Sequence, residues 1–139
     1  MASLVEEESA NLEERPLIAS VIYNRLRAGM PLQIDASIQY ALDKPKEELK
    51  FSDLDIDSPY NTYANLDLPP GPIANPSRES IKAALEPART DYLYYVLETD
   101  GQGHFFTDDY DEFLEAKDRS EGSTAGSPRA EQDSKGGWR

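Results

Sequence analysis

The first nine residues, MASLVEEES, predict the helix on which the rest of the domain is built. On such a helix Leu4, Val5 and Leu12 project onto one arc, and Glu8 falls inside that arc while the two preceding glutamates fall outside it. A carboxylate among apolar neighbours loses hydration, which favours its protonated form, as a general acid requires. The alternative is an acidic first turn favoured by the helix dipole. That alternative accounts for the other two glutamates better than for Glu8.

Composition narrows the classes of protein that the chain could belong to. Its 139 residues suffice for one domain with a modest core, and the absence of cysteine excludes disulfides, thiolate metal sites and a cysteine nucleophile. The single histidine, His104, argues against histidine-rich metal sites and against a Ser-His-Asp triad. A net charge of −13 disfavours nucleic acid as a partner, and it disfavours docking on anionic lipid through a basic patch.

The start of the chain carries no sign of a leader or a membrane span. No apolar run approaches the roughly 20 residues needed to cross a bilayer. The first ten residues contain three glutamates and no basic residue, unlike a signal peptide. Because a helical pattern begins without any lead-in, we expect a domain taken from a longer protein.

Local signals predict two further helices in the first third of the chain. One is expected from about Arg15 to Arg27, with Pro16 in its first turn and Gly29 as its stop. A shorter helix is expected over residues 36–42, with Asp35 as its N-cap. The pattern alone favours this capping role for Asp35 over a catalytic one.

A long loop with almost no charge is expected over residues 58–76, from SPYNTY (58–63) to LPPGPIANP (68–76). Five prolines stiffen it and remove backbone donors. Its tyrosines and asparagines are side chains that can stack on a polar ring such as a sugar and hydrogen-bond it. A rigid crossover that merely connects two halves of the domain is an equally open interpretation.

The second half predicts a helix, a hairpin and a last helix. Asn75 is expected to cap a helix with Pro76 at its first position, and its inward residues are expected to be Ile81, Ala84 and Leu85. A strand over 92–97 should turn at 100–103 and return over 104–107, before an acidic helix over about 109–117. His104, beside the glycine turn, is more typical of a surface residue than of a site residue. The composition of residues 120–139 predicts a disordered tail.

Together these elements predict an α+β fold over residues 1–119, mainly helical with a short antiparallel β-hairpin. In this order, the residues resemble the MltG-type (YceG-like) family of endolytic murein transglycosylases. The resemblance covers about residues 1–115 in these blocks: 1–9 (MASLVEEES), 14–15, 22–30 (IYNRLRAGM), 32–35 (LQID), 58–63 (SPYNTY), 68–76 (LPPGPIANP), 83–95 (AALEPARTDYLYY) and 103–106 (GHFF).

The resemblance implies a lysozyme-like catalytic domain that cleaves nascent peptidoglycan glycan strands without a cofactor or metal. The family's catalytic glutamate is the second of a Glu-x-Glu pair, which corresponds to Glu8, with Glu6 as the fallback. A pyridoxal phosphate lyase, a label sometimes given to members, would need a cofactor lysine and a phosphate cradle that the sequence does not offer. The sequence departs from the family in two ways: Glu7 replaces a residue that is often basic, and the anchor and LysM-like region lie outside this chain.

The implied mechanism needs one carboxylate, because the C6 hydroxyl of muramic acid attacks its own C1 and closes a 1,6-anhydro ring. By analogy with other transglycosylases, six residues are expected to bind the sugar or support its charge: Gln33, Asp35, Tyr60, Asn61, Thr62 and Tyr63.

The family also implies a location and partners. We expect the full-length protein on the extracytoplasmic face of the bacterial inner membrane, attached only through its N-terminal anchor. The expected partners are peptidoglycan strands, with cell-wall synthesis proteins as an open addition. Two non-catalytic alternatives remain: a module that only binds glycan, and a scaffold that uses its acidic surface for protein contacts.

Overall fold

Five helices and one β-hairpin make up the domain in the computed structural model, which describes residues 1–42 and 49–121. The helices are α1 (Ala2–Glu8), α2 (Arg15–Ala28), α3 (Asp35–Ala41), α4 (Arg78–Leu85) and α5 (Tyr110–Glu121). The strands are β1 (Tyr94–Leu97) and β2 (His104–Thr107), and two short 3₁₀ turns cover Leu12–Glu14 and Phe51–Asp55. The predicted α+β class is confirmed.

The main core lies between α1, α2, the hairpin and α5. Fully buried apolar side chains reach it from each of these elements and from the segment before α3, among them Leu4, Ile18, Ile22, Ile34 and Phe113. Burial of such side chains drives the assembly, at about 1.5–3 kcal/mol for each. A second, smaller cluster joins Ile38 of α3 to Leu49 and Leu54, which belong to the segment before SPYNTY.

Helix α2 is the element that the sequence predicted best. It begins at Arg15 with Pro16 in its first turn, and it ends at Gly29, which has the left-handed backbone angle φ of 71°. Glycine adopts that angle without the steric cost that a Cβ atom would bring. The Gly29 N–H donates to the carbonyl of Leu26 at 3.3 Å and completes the cap.

Helix α1 is shorter than the arc of Leu4, Val5 and Leu12 required. It ends at Glu8 because Ser9 turns to an extended conformation and its hydroxyl donates to the Val5 carbonyl at 2.7 Å. Leu12 lies in the following 3₁₀ turn with 60% of its surface exposed. The expectation that Leu12 shares an apolar face with Glu8 was therefore wrong, whereas Leu4 and Val5 are buried as expected.

The start of α4 also differs from the prediction. Ser77 caps the helix by accepting a hydrogen bond from the Ser80 N–H, so Asn75 and Pro76 precede the helix instead of starting it. The helix buries Ala83, while Ile81 and Leu85, predicted to face inward, are exposed.

The hairpin agrees with the prediction except that β1 begins two residues later, at Tyr94. Its strands pair antiparallel with Tyr95 opposite Phe106, and Gly101 supplies the positive φ of the turn. Helix α5 packs beneath it, with the Phe113 ring centroid 5.1 Å from that of Tyr94. The helix runs to Glu121, so residues 120 and 121 belong to it, and the rest of the predicted tail falls outside the described residues.

None of the described helices has both the length and the apolar composition that a bilayer span requires.

Candidate active site

Glu8 is the last residue of α1, and its side chain is half-buried. Its carboxyl Oε1 accepts a hydrogen bond of 2.6 Å from the hydroxyl of Tyr95. Tyr95 comes from β1 and is only 3% exposed, so its ring is fixed by the core. The end of α1 and the hairpin thus meet at one carboxyl group, whose orientation is set by a rigid donor.

Glu6, two residues earlier in α1, has a different environment. Its Oε1 accepts hydrogen bonds from the Ser77 N–H at 2.8 Å and from the Ser80 hydroxyl at 2.9 Å. Its Oε2 lies 3.4 Å from the Arg15 guanidinium. The backbone bond from Ser77, then the two serine hydroxyls and finally Arg15 lower the pKa of Glu6 to about 2. Glu6 therefore stays ionised near neutral pH and anchors α1 to the beginning of α4.

Asn61 is fully buried, and its amide holds the SPYNTY loop together. The Nδ2 group donates to the carbonyls of Leu54 and Ile56, each at 2.9 Å. The Oδ1 atom accepts from the N–H groups of Tyr63 at 2.9 Å and Ala64 at 3.3 Å. These four bonds use the amide's whole capacity inside the protein. This geometry gives Asn61 a structural role in the loop.

Thr62 likewise makes its contacts inside the protein. It is 2% exposed, and its hydroxyl accepts from the Ile34 N–H at 2.8 Å and lies 2.9 Å from the Ser37 hydroxyl. Its carbonyl accepts the Gln33 N–H at 3.1 Å. Gln33 has a positive φ of 53°, which is uncommon for a residue with a side chain. Thr62 therefore fixes the turn that presents Gln33, whose side chain is half-buried.

Asp35 and Tyr63 form the second polar pair of the site. The Tyr63 hydroxyl donates to Asp35 Oδ1 at 2.5 Å, and Asp35 is 5% exposed. Asp35 is the first residue of α3, whose N-cap is Ile34 and has no side-chain cap bond. The predicted capping role of Asp35 was wrong, because Ile34 is the N-cap and the Asp35 carboxylate accepts a hydrogen bond from the Tyr63 hydroxyl instead.

Tyr60 is half-buried, with its ring centroid 4.8 Å from that of the exposed Tyr40. A Cβ atom on residue 71 would lie 3.0 Å from the Tyr60 hydroxyl. Gly71 therefore allows the second part of the loop to cross close to this ring.

A buried arginine interacts electrostatically with the tyrosines of both polar pairs. Arg25 of α2 is 1% exposed, and it donates to the carbonyls of Leu93 and Pro31, each at 2.8 Å. Its burial lowers the pKa of the guanidinium to about 10, an effect opposed by Tyr95, Tyr94 and Tyr63. Tyr95 and Tyr63, which bind the two carboxyl groups, are therefore electrostatic neighbours of the same cation.

A fourth carboxylate, that of Glu14, is bound to the hairpin. It is 6% exposed, accepts the backbone N–H of His104, and lies 2.9 Å from the His104 ring nitrogen Nδ1. It also accepts the N–H of Ala10 at 3.2 Å. The His104 ring then meets the Tyr95 ring edge to face, with centroids 5.0 Å apart.

Sequence reasoning missed Tyr95, Arg25 and the pairing of Glu14 with His104, and the expectation of a surface histidine was wrong, because the His104 side chain is 7% exposed. All of these residues fall in blocks that carried the family resemblance, which was the one available signal. The partners are far apart in the chain: Tyr95 follows Glu8 by 87 residues, and His104 follows Glu14 by 90. No local spacing rule could have paired them.

Known proteins resemble this chain closely. A protein of Bacillus subtilis (strain 168) named endolytic murein transglycosylase is 50% identical over 119 residues, covering 86% of this chain and 33% of that protein. One of the same name from Streptococcus pneumoniae serotype 2 (strain D39) is 42% identical, covering 76% of this chain and 20% of that protein. A crystal structure of a yceG-like protein from Listeria monocytogenes aligns with a TM-score of 0.77 at 45% identity, covering 81% of this chain and 36% of that one.

The chain thus spans about a third of the Bacillus relative and a fifth of the Streptococcus one. The YceG-like family matches residues 1–119, which include every element of the site described above. The chain belongs to the YceG-like family.

Proposed function

We propose that this chain is the catalytic part of an endolytic peptidoglycan lytic transglycosylase. It would cleave the MurNAc–GlcNAc bond of nascent glycan strands and leave a 1,6-anhydro-MurNAc end. The relatives named endolytic murein transglycosylase support the reaction class. The observation that carries the assignment is the hydrogen bond of 2.6 Å from Tyr95 to Glu8, which orients a half-buried carboxyl group at the end of α1.

Glu8 acts twice in the proposed reaction. As an acid, it gives its proton to the glycosidic oxygen while the bond from that oxygen to C1 of MurNAc breaks. The resulting carboxylate then takes the proton of the MurNAc C6 hydroxyl as that oxygen bonds to C1. The proton returns to Glu8, no water is consumed, and a second carboxylate is unnecessary because the nucleophile is already attached to the sugar.

Tyr95 supports both steps. Its hydroxyl binds the same carboxyl oxygen in the acid and in the carboxylate, which keeps the group aimed at the glycosidic bond. A hydrogen bond to the charged form is stronger than one to the neutral form, so Tyr95 also helps the carboxylate that forms when the proton leaves.

The contacts of Glu6 oppose a catalytic role for this residue. A general acid must hold a proton near neutral pH, whereas a carboxyl group with a pKa of about 2 is ionised there. Its two serine donors and Arg15 also fix it between α1 and α4. We therefore assign the acid role to Glu8 and an anchoring role to Glu6.

The remaining site residues divide into two groups. We propose that the first group, Tyr63, Asp35, Gln33 and Tyr60, contacts the sugar or shapes its pocket. Asn61 and Thr62, both buried, hold the loop that carries the tyrosines. The full-length protein would act at the extracytoplasmic face of the membrane, where nascent glycan is found.

The reaction class can be tested by digesting purified peptidoglycan in water labelled with the heavy oxygen isotope ¹⁸O. The fragments are then analysed by mass spectrometry. A lytic transglycosylase yields anhydro ends that carry no solvent oxygen. Fragments with reducing ends labelled by solvent would identify a hydrolase and contradict the proposal. If the chain binds peptidoglycan and releases no fragments, the remaining interpretation is a non-catalytic glycan-binding module.

A further inference from the structure

We propose that Glu14 and His104 are positioning residues for catalysis, which act on Glu8 through Tyr95. This inference rests on the proposed function, because it concerns the orientation of the proposed acid. Neither residue reaches Glu8 itself in the contacts described above. Their effect would be carried by the Tyr95 ring and by the segment that follows Glu8.

The first path runs through the hairpin. His104 and Phe106 are two positions apart on β2 and therefore lie on the same face of that strand. Phe106 pairs with Tyr95 of β1, so the three side chains share one face of the hairpin. The His104 ring stands at 81° to the Tyr95 ring, with centroids 5.0 Å apart. This edge-to-face contact limits the rotation of the ring whose hydroxyl binds Glu8.

The Glu14 carboxylate fixes the orientation of the His104 ring. Ring nitrogen Nδ1 lies 2.9 Å from Glu14 Oε2, and the His104 backbone N–H donates to Glu14 Oε1. The side chains of both residues are at least 92% buried, so water competes little for these contacts. A Cβ atom on residue 103 would lie 3.1 Å from Glu14 Oε1, so Gly103 gives the carboxylate close access to the strand.

The second path runs along the backbone. Glu14 Oε2 also accepts the N–H of Ala10, two residues after Glu8. The same carboxylate therefore ties both the end of α1 and the beginning of β2. Because Ala10 follows Glu8 by two residues and β2 pairs with the strand that carries Tyr95, Glu14 holds the acid and its donor in register.

A double-mutant cycle on turnover separates positioning from stability. Tyr95→Phe removes only the hydroxyl and should lower kcat roughly 10- to 100-fold, with a smaller change in KM. Glu14→Gln should lower kcat on the order of 10-fold in the parent chain. In the Tyr95→Phe background Glu14→Gln should lower kcat by a clearly smaller factor, since no hydroxyl remains to be positioned and only the backbone path through Ala10 is left. Equal factors in the two backgrounds would overturn the proposal.

A second variant and a control protect the test against misfolding. His104→Asn keeps a donor near the Nδ1 position but removes the ring, and it should show the same dependence on Tyr95. The control is Glu112→Gln, because Glu112 accepts a hydrogen bond of 2.6 Å from Thr107 of β2 and has no described contact with Tyr95. It should change melting temperature without changing kcat. A fall in kcat for Glu112→Gln equal to that for Glu14→Gln would contradict the inference.

The outcome also separates this inference from the proposed function. If the unaltered chain produces no anhydro ends, the proposed function fails. If it produces them and Glu14→Gln lowers kcat equally with and without the Tyr95 hydroxyl, only the positioning role fails.

Discussion

Replacing Asn61 with alanine tests whether the SPYNTY loop depends on this side chain for its shape or uses it to hold sugar. Asn61 is fully buried and makes four hydrogen bonds, two of them donated to the Leu54 and Ile56 carbonyls. The other two are accepted from the backbone N–H groups of Tyr63 and Ala64. Alanine would remove all four bonds and leave a small cavity.

The expected cost follows from those contacts. Each bond contributes about 0.5–1.5 kcal/mol net, and a buried partner left unsatisfied costs more. The Ala64 N–H belongs to an exposed residue and can bond to water after the change, so it adds little. We therefore expect a loss of about 2–4 kcal/mol in the free energy of unfolding. In a domain of this size that corresponds to a drop of roughly 10 °C in melting temperature.

Asn65→Ala is the matched control because it changes the same residue type in the same loop. Asn65 is exposed and donates to the carbonyls of Ser58 at 3.0 Å and Asn61 at 3.1 Å, so its loss should cost below about 1 kcal/mol. Both variants can be compared by urea unfolding and by turnover per folded molecule. If Asn61→Ala has the same stability as Asn65→Ala but has lost turnover, Asn61 binds the substrate and the structural assignment is refuted.

Three other outcomes are expected. Glu6 has a pKa of about 2 instead of 4.5, so its ionised form stabilises the fold above pH 4.5, and this contribution is lost as the pH falls toward 2. Urea unfolding of Glu6→Gln should therefore depend less on pH over that range, and an unchanged dependence would exclude the anchoring role. Tyr63→Phe removes the bond to Asp35 and should cost about 1–2 kcal/mol while raising KM more than it lowers kcat; an unchanged KM would exclude Tyr63 from sugar binding. Deleting residues 122–139, whose composition predicts no core, should leave melting temperature and turnover unchanged, whereas a drop of several degrees would show that they dock.

Sequence signals were sufficient where one local feature determines the structure. Pro16 and Gly29 mark the two ends of α2, because their backbone preferences act within a single turn. The glycine turn at 100–103 likewise fixed the hairpin, since strand pairing follows from the turn.

The same signals failed where distant groups compete for a side chain. Asp35 has the chemistry of an N-cap, but the Tyr63 hydroxyl, 28 positions away, takes its carboxylate. Asn75 and Pro76 have the pattern of a helix start, yet the Ser77 N–H is bound by Glu6 and the helix begins after it. These outcomes depend on tertiary contacts that no window of neighbouring residues contains.

The candidate site follows the same division. Glu8 could be selected from its place in the Glu-x-Glu pair, although Leu12, part of the supporting pattern, proved to be exposed. Tyr95 could not be selected, because its relation to Glu8 exists only once the hairpin packs on α1. Helical periodicity also could not distinguish a tyrosine or asparagine that faces a ligand from one whose polar atoms are used within the loop.

The most direct test of the central claim, that Glu8 is the acid and base, is mass spectrometry of peptidoglycan treated with the Glu8→Gln variant. Glutamine keeps the shape of the side chain and can still accept from Tyr95, but it cannot give up and recover a proton. We expect a folded variant with the parent's melting profile that releases no 1,6-anhydro-MurNAc fragments, while Glu6→Gln, where folded, still releases them. Anhydro fragments released by Glu8→Gln at the parent rate would contradict the assignment of Glu8.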